Sequence, residues 1–209
     1  MEIQYHGANA VKFTTKKSSL IVDVVSDISD NKLDFKKNNI ILATQEAYKP
    51  KIVSDEQFLI DSPGEFEFEE FSVKGIPAQP HTSSSGDNSA TIYKITVQDT
   101  TVAILGNITS KLSEEQQEAI NRADVVIVPV GGNGYTLDPL DASNMVREIE
   151  PKLVIPVHYT EDGLNYSIPQ GSVEEFTKEL GAPVSEEVVD KFKIKALPEQ
   201  MTVQIINKS

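Results

Sequence analysis

The sequence predicts a layered α/β fold, with two β-sheets packed together and helices on the outside. Three observations predict it. The first half is a series of short β-branched and apolar runs separated by polar turns. The second half alternates continuous apolar runs with amphipathic segments that open on helix caps. The chain's 209 residues, 39% hydrophobic and 24% charged, suffice for one well-buried core.

Strands are expected over residues 3–5, 11–14, 20–25, 40–44 and 58–60. Asp61-Ser62-Pro63-Gly64 is turn chemistry. From 65 to 76 the residues Phe66, Phe68, Phe71, Val73 and Ile76 alternate with polar ones, and the alternation breaks at Glu69-Glu70. That pattern predicts a hairpin whose phenylalanines pack inward. A second hairpin is expected from 90–97 and 101–105, turning at Gln98-Asp99-Thr100. Between them, residues 79–89 carry Ser83-Ser84-Ser85, Gly86 and Asp87, read as a surface loop.

Ser113 and Gln116 have capping-box spacing, so a helix is expected to about Arg122. Residues 124–130 read as a strand buried on both faces. Asp138-Pro139 opens a second helix with Ala142, Met145, Val146 and Ile149 on one face. Residues 153–157 form another buried-type strand. Ser172 and Glu175 cap a third helix, which stops at Gly181. Final strands are expected over 192–197 and 202–206, and no linker divides the chain, so residues 1–209 are read as a single domain.

Composition narrows the function. With 32 acidic and 19 basic residues the net charge is −13, against a nucleic-acid or anionic-membrane partner. There is no cysteine, which excludes disulfides, thiolate metal ligands and a cysteine nucleophile. No basic-then-apolar leader opens the sequence, and its most apolar run falls far short of the ~20 residues of a membrane helix. A cytoplasmic location is the expectation.

Generic catalytic motifs are absent. The chain lacks a Walker loop, G-x-G-x-x-G and G-x-S-x-G. Gly131-Gly132-Asn133-Gly134 follows a strand but opens no helix directly, and reads as a turn. The only histidines are His6, His81 and His158, each near an expected strand end.

Several stretches carry a resemblance. They are Ser62-Pro63-Gly64-Glu65-Phe66-Glu67, Gly75-Ile76-Pro77-Ala78, Leu105-Gly106-Asn107, Leu112-Ser113-Glu114-Glu115-Gln116, Val128-Pro129-Val130-Gly131-Gly132 and Tyr135-Thr136-Leu137-Asp138. The series closes with Glu150-Pro151-Lys152-Leu153-Val154-Ile155-Pro156-Val157-His158-Tyr159 and Ala196-Leu197-Pro198-Glu199. Over nearly its whole length the chain resembles the small bacterial members of the metallo-β-lactamase fold superfamily, in the ascorbate-phosphate lactonase-like branch of metal-dependent hydrolases. The resemblance implies a four-layer αβ/βα sandwich with the site at the strand ends between the sheets.

Carried over by position, the family's metal ligands are largely replaced. After its fourth strand the family places H-x-H-x-D-H. Here Gln45 and Ala47 stand for the first two histidines, Lys49 for the aspartate and Pro50 for the last histidine. An ammonium beside a cation is repulsive, and alanine and proline offer no side-chain donor. The family's middle histidine, shortly after Ile76-Pro77, falls on Pro80, with His81 one place late, and Asn107 stands for the bridging aspartate. The opening glycine-histidine pair reads Gly7-Ala8, with His6 displaced. Only His158 stands in register, while Asp23 matches a supporting aspartate.

Two readings follow. In the first, the dinuclear site is lost and no cofactor is expected. The protein is then a binding or partner subunit, as a homo- or hetero-oligomer with a related metallo-β-lactamase-fold protein or with an unidentified small-molecule ligand. In the second it is a hydrolase of a lactone or phosphoester. His158 and His81, helped by Gln45 or Glu46, then hold one zinc or manganese ion or supply a general base. Gln45, Glu46, Lys49, Asn107 and Asp23 are the pocket candidates, and Lys49 is read as a contact for an anionic ligand.

Overall fold

A computed structural model describes residues 1–24, 39–51, 57–83, 86 and 88–209. Thirteen strands, three α-helices and a 3-10 turn are assigned among them. Val25 of the third expected strand, and Ser84, Ser85 and Asp87 of the serine loop, lie outside the described residues.

One sheet holds β1 (Glu2–Tyr5), β2 (Val11–Thr14), β3 (Ser19–Val22), β4 (Asn39–Leu42), β5 (Phe58–Ile60) and β12 (Phe192–Lys193). Their order is β12-β1-β2-β3-β4-β5. The other holds β6 (Gly64–Phe68), β7 (Phe71–Ala78), β8 (Ala90–Val97), β9 (Thr100–Ile104), β10 (Val125–Pro129), β11 (Leu153–Val157) and β13 (Thr202–Val203). That sheet runs β13-β11-β10-β9-β8-β7-β6. The two-sheet α/β sandwich expected from the sequence is the fold observed.

Alternation sets which faces meet. In β1 and β2 buried Ile3, Tyr5, Val11 and Phe13 alternate with partly exposed residues, as half-buried strands require. β10 and β11 are buried throughout and pair in parallel, Val126 opposite Val154 and Ile127 opposite Ile155. Burying each such side chain contributes about 1.5–3 kcal/mol, so this pair anchors the second sheet. Helices α1 (Glu114–Ile120), α2 (Pro139–Ile149) and α3 (Val173–Leu180) follow in the second half. Helix α1 packs on β7, and α2 on β10 and α3.

Local chemistry fixes the helix ends. Ser113 and Gln116 form the expected capping box, and the Asp138 side chain accepts from the Asp141 amide. Gly181 ends α3 in a left-handed conformation. Some expectations are corrected. Ser172 occupies its N-cap position without a side-chain bond. Helix α1 stops at Ile120, two residues early, and Arg122 turns left-handed. The third strand ends at Val22 because Asp23 adopts a φ of 54°. Ladder pairing covers two residues in each of the last two expected strands, Phe192–Lys193 with β1 and Thr202–Val203 with β11, and Ile206 adds an isolated bridge to Val189.

Candidate functional site

Strand ends from both sheets converge on one buried polar cluster. Asp23 follows β3 and Thr44 follows β4. The 3-10 turn Glu46–Tyr48 comes next, Asn107 follows β9, and Tyr135 follows β10. His158 follows β11, and Ala8 and Asn9 link β1 to β2. Ala8, Asp23 and His158 all have positive φ, 49°, 54° and 55°. Such conformations are costly for non-glycine residues and cluster where a fold over-determines its geometry.

Asp23 is fully buried. Its carboxylate accepts from the Thr44 amide at 2.7 Å and from Thr44 Oγ1 at 2.7 Å. Burial pushes its pKa up from 3.8 to about 7, although Thr44 and the neighbouring Asn9 pull it back. Thr44 is pressed against Gly106, where an added Cβ would sit 2.9 Å from Thr44 Cβ with a φ of +64°, so glycine is required.

His158 is buried as well, and burial pulls its pKa down to about 3, so the ring is neutral. Its Nδ1 lies 3.0 Å from Asn9 Oδ1. An amide oxygen only accepts, so Nδ1 carries the proton and Nε2 presents a lone pair. Nε2 is buried without a hydrogen-bond partner. The ring is flanked by Tyr135 and Tyr166, with centroids 5.4 and 4.8 Å away.

A second arm runs through the 3-10 turn. Buried Tyr48 places its hydroxyl 3.2 Å from that of Tyr135, and Asn107 Nδ2 donates to it at 3.4 Å. Burial, and then Tyr135, raises the Tyr48 pKa, so the phenol stays protonated. Gln45 Nε2 donates to the Asn107 carbonyl at 2.7 Å, while Asn107 Oδ1 is buried without a partner.

The structure therefore brings Asp23, Gln45, Asn107 and His158 into one network. His81 reaches it through the main chain, its amide donating to the Asn107 carbonyl at 3.0 Å, and its Nδ1 is buried without a partner. Lys49 and Glu46 lie apart from that network. The Lys49 ammonium pairs with Glu46 and with Asp61, the latter at 2.8 Å, and Asp61 and then Glu46 raise its pKa. Lys49 is thus held by two carboxylates. In the glycine turn the Gly132 amide is engaged, donating to Thr136 Oγ1 at 2.7 Å.

The residues do not fit a dinuclear metal centre. Among the described residues, no group of three or more histidine, aspartate or glutamate side chains is placed to hold an ion. Gln45 gives its amide to Asn107, Lys49 brings positive charge, and both Asp23 oxygens accept from Thr44. Buried acceptors without a partner around the cluster include His158 Nε2, His81 Nδ1, Asn107 Oδ1 and the Tyr166 hydroxyl.

The profile of the β-lactamase superfamily domain matches residues 2–158. The chain belongs to the metallo-β-lactamase superfamily. A UPF0173 metal-dependent hydrolase of Carboxydothermus hydrogenoformans is 30% identical over 102 residues, 46% of this chain and 44% of that protein. The chain thus spans less than half the length of that relative. A metallo-β-lactamase superfamily structure from Thermotoga maritima superposes with a TM-score of 0.73 at 19% identity, covering 99% of each chain. The metallo hydrolase Igni18 of Ignicoccus hospitalis gives 0.62 at 16% identity, over 86% of this chain and 90% of that one. Both share the superfamily's fold.

Sequence reasoning missed Asn9, Thr44, Tyr48, Tyr135 and Tyr166. Tyr48 sits in the window that replaces the ligand motif, and Tyr135 in the glycine turn. An aromatic hydroxyl at both positions was the available signal.

Proposed function

We propose that this superfamily member, of the lactonase-like branch, has replaced its dinuclear centre with a hydrogen-bonded cluster and acts as a binding or partner subunit. The observation that carries this reading is the Tyr48 hydroxyl. It is linked to Asn107 and Tyr135 within the very window where the ligand motif is replaced. Hydrolysis in metal-dependent relatives depends on an ion that lowers the pKa of its water from 15.7 to about 7. A neutral imidazole, the phenols of Tyr48 and Tyr135, the amides of Asn9, Gln45 and Asn107, and an Asp23 carboxyl engaged by Thr44 supply no such activation.

A second reading has one observation in its favour. His158 Nε2 and His81 Nδ1 are both buried nitrogens without partners. They could hold a single zinc or manganese ion in a rearranged site that serves a lactone or phosphoester hydrolase. Metal content separates the two readings. Untagged protein incubated with zinc and manganese, then assayed by elemental mass spectrometry, is expected to hold less than about one-tenth of an ion per chain. Close to one ion per chain, lost in His158→Asn, overturns the subunit reading in favour of the mononuclear hydrolase.

A further inference from the structure

The seven-stranded sheet ends on an open edge. Strand β6 is the last strand of that sheet, and among the described residues only β7 pairs with it. Its hairpin turns through two residues, Glu69 and Glu70, which makes Phe68 and Phe71 a hydrogen-bonded pair. Alternation then directs the main-chain groups of Phe66 toward Val73, and those of Glu65 and Glu67 outward. Unpaired N–H and C=O groups along an edge are a template for another strand.

Each face of this edge has its own chemistry. On the outer face, Glu65 and Glu67 border a cavity of about 700 Å³ between the sheet and α1. Glu115 and Glu118 line its far wall, and Lys74 and Lys94 are its cations. Both cations are engaged: Lys74 pairs with Glu65 at 3.3 Å, and Lys94 donates to the Ala119 carbonyl at 3.0 Å. The cavity keeps an acidic surplus. On the opposite face, Phe68 meets Phe58 of β5 with ring centroids 4.4 Å apart, and Phe58 is 53% exposed. An aromatic pair therefore spans the adjacent edges of the two sheets and shows one ring to solvent.

We infer that β6 docks an extended segment of a partner protein by strand addition, the segment alternating basic with apolar side chains. The main-chain groups of Glu65 and Glu67 bond its backbone, its lysines or arginines face Glu65, Glu67 and the cavity, and its apolar residues cover Phe58 and Phe68. Charge complementarity selects this occupant over a second copy. A chain of net charge −13 repels itself, and two-fold pairing of β6 would set these glutamates against each other. This inference rests on the subunit reading and names the surface through which it would operate.

The test uses the full chain and a labelled peptide of alternating lysine and valine, about seven residues long, enough to overrun β6 at ~3.4 Å per residue. Fluorescence anisotropy is expected to show saturable binding that weakens at high salt. Binding should fall about tenfold or more in Glu65→Lys/Glu67→Lys, where attraction becomes repulsion. N-methylating alternate peptide amides should weaken it comparably, and a glutamate–valine peptide should not bind. The two glutamates are exposed, so the variant should keep its circular dichroism and melting curve; if it does not fold, the N-methylated peptide still decides. Absence of binding overturns the inference, as does equal binding by the variant or by the N-methylated peptide. Self-association of the wild type that the two lysines abolish also overturns it, making the occupant a second copy. Failure here with metal content below one-tenth of an ion removes this surface and leaves the subunit reading standing.

Discussion

The Nδ1 atom of His158 lies 3.0 Å from Oδ1 of Asn9, a contact that closes 149 residues of chain and is wholly buried. It fixes the imidazole tautomer and ties β11 to the turn between β1 and β2. Removing the amide in Asn9→Ala leaves the buried Nδ1–H unpaired, which costs about 1–3 kcal/mol. A fall of several degrees in melting temperature is the expected result, and an unchanged melt would mean the pair contributes nothing.

Acid should expose His158. Its folded pKa lies near 3, below the ordinary 6.5, so between those values the unfolded chain binds a proton that the folded one refuses. Its contribution is complete above pH 6.5 and is lost as pH falls, by up to about 1.4 kcal/mol per unit. His158→Asn keeps a residue that tolerates positive φ and removes the titration. Urea unfolding from pH 4 to 7 should therefore show a shallower acid loss for the variant than for the wild type.

Asp23 works in the opposite sense. Its folded pKa is raised to about 7 from 3.8, so the folded chain holds a proton that the unfolded one has released. Stability from this group is greatest near pH 4 and declines as pH rises to 7. Across that window the wild type should lose up to about 1.4 kcal/mol per pH unit relative to Asp23→Asn. Parallel curves for the two proteins would show that Asp23 is ionised throughout.

Gly131 should tolerate no side chain. An added Cβ would run into the His158 carbonyl oxygen and lie 2.8 Å from Gln170 Cβ. The obstruction is backbone, which cannot rotate away. Gly131→Ala should destabilise by about 1–3 kcal/mol or more, read as a lower denaturant midpoint.

What the sequence made legible was local. Asp138-Pro139 announces α2 because a cap and a pre-set φ act within four residues, and Gly181 ends α3 for a similar reason. Alternation around Glu69-Glu70 located the β6–β7 hairpin for the same cause. The final strands were read too long because pairing, not propensity, decides their extent: Phe192 and Lys193 are ladder residues only where Ile3 and Glu2 face them. Within the site, Asp23, Gln45, Asn107 and His158 were found through the resemblance. Asn9 and Tyr48 were not, since a bond between residues 9 and 158 leaves no trace in either neighbourhood.

The pairing of β1 with β12 also sets an order of events. Strand β1 finds its outer neighbour only when residues 192 and 193 have been made, and Tyr5 bridges to Lys208 later still. On the other sheet, β13 joins β11 at an equally late point. Early strands can gather into hairpins as they emerge, but β1 and β11 each wait for a neighbour made more than forty residues after α2. Such distant closures make folding slow and leave hydrophobic edges exposed to other nascent chains. Residues 192–208 thus act as a clasp on both sheets, and a chain stopped short of them should be a substrate for chaperones rather than a smaller stable protein.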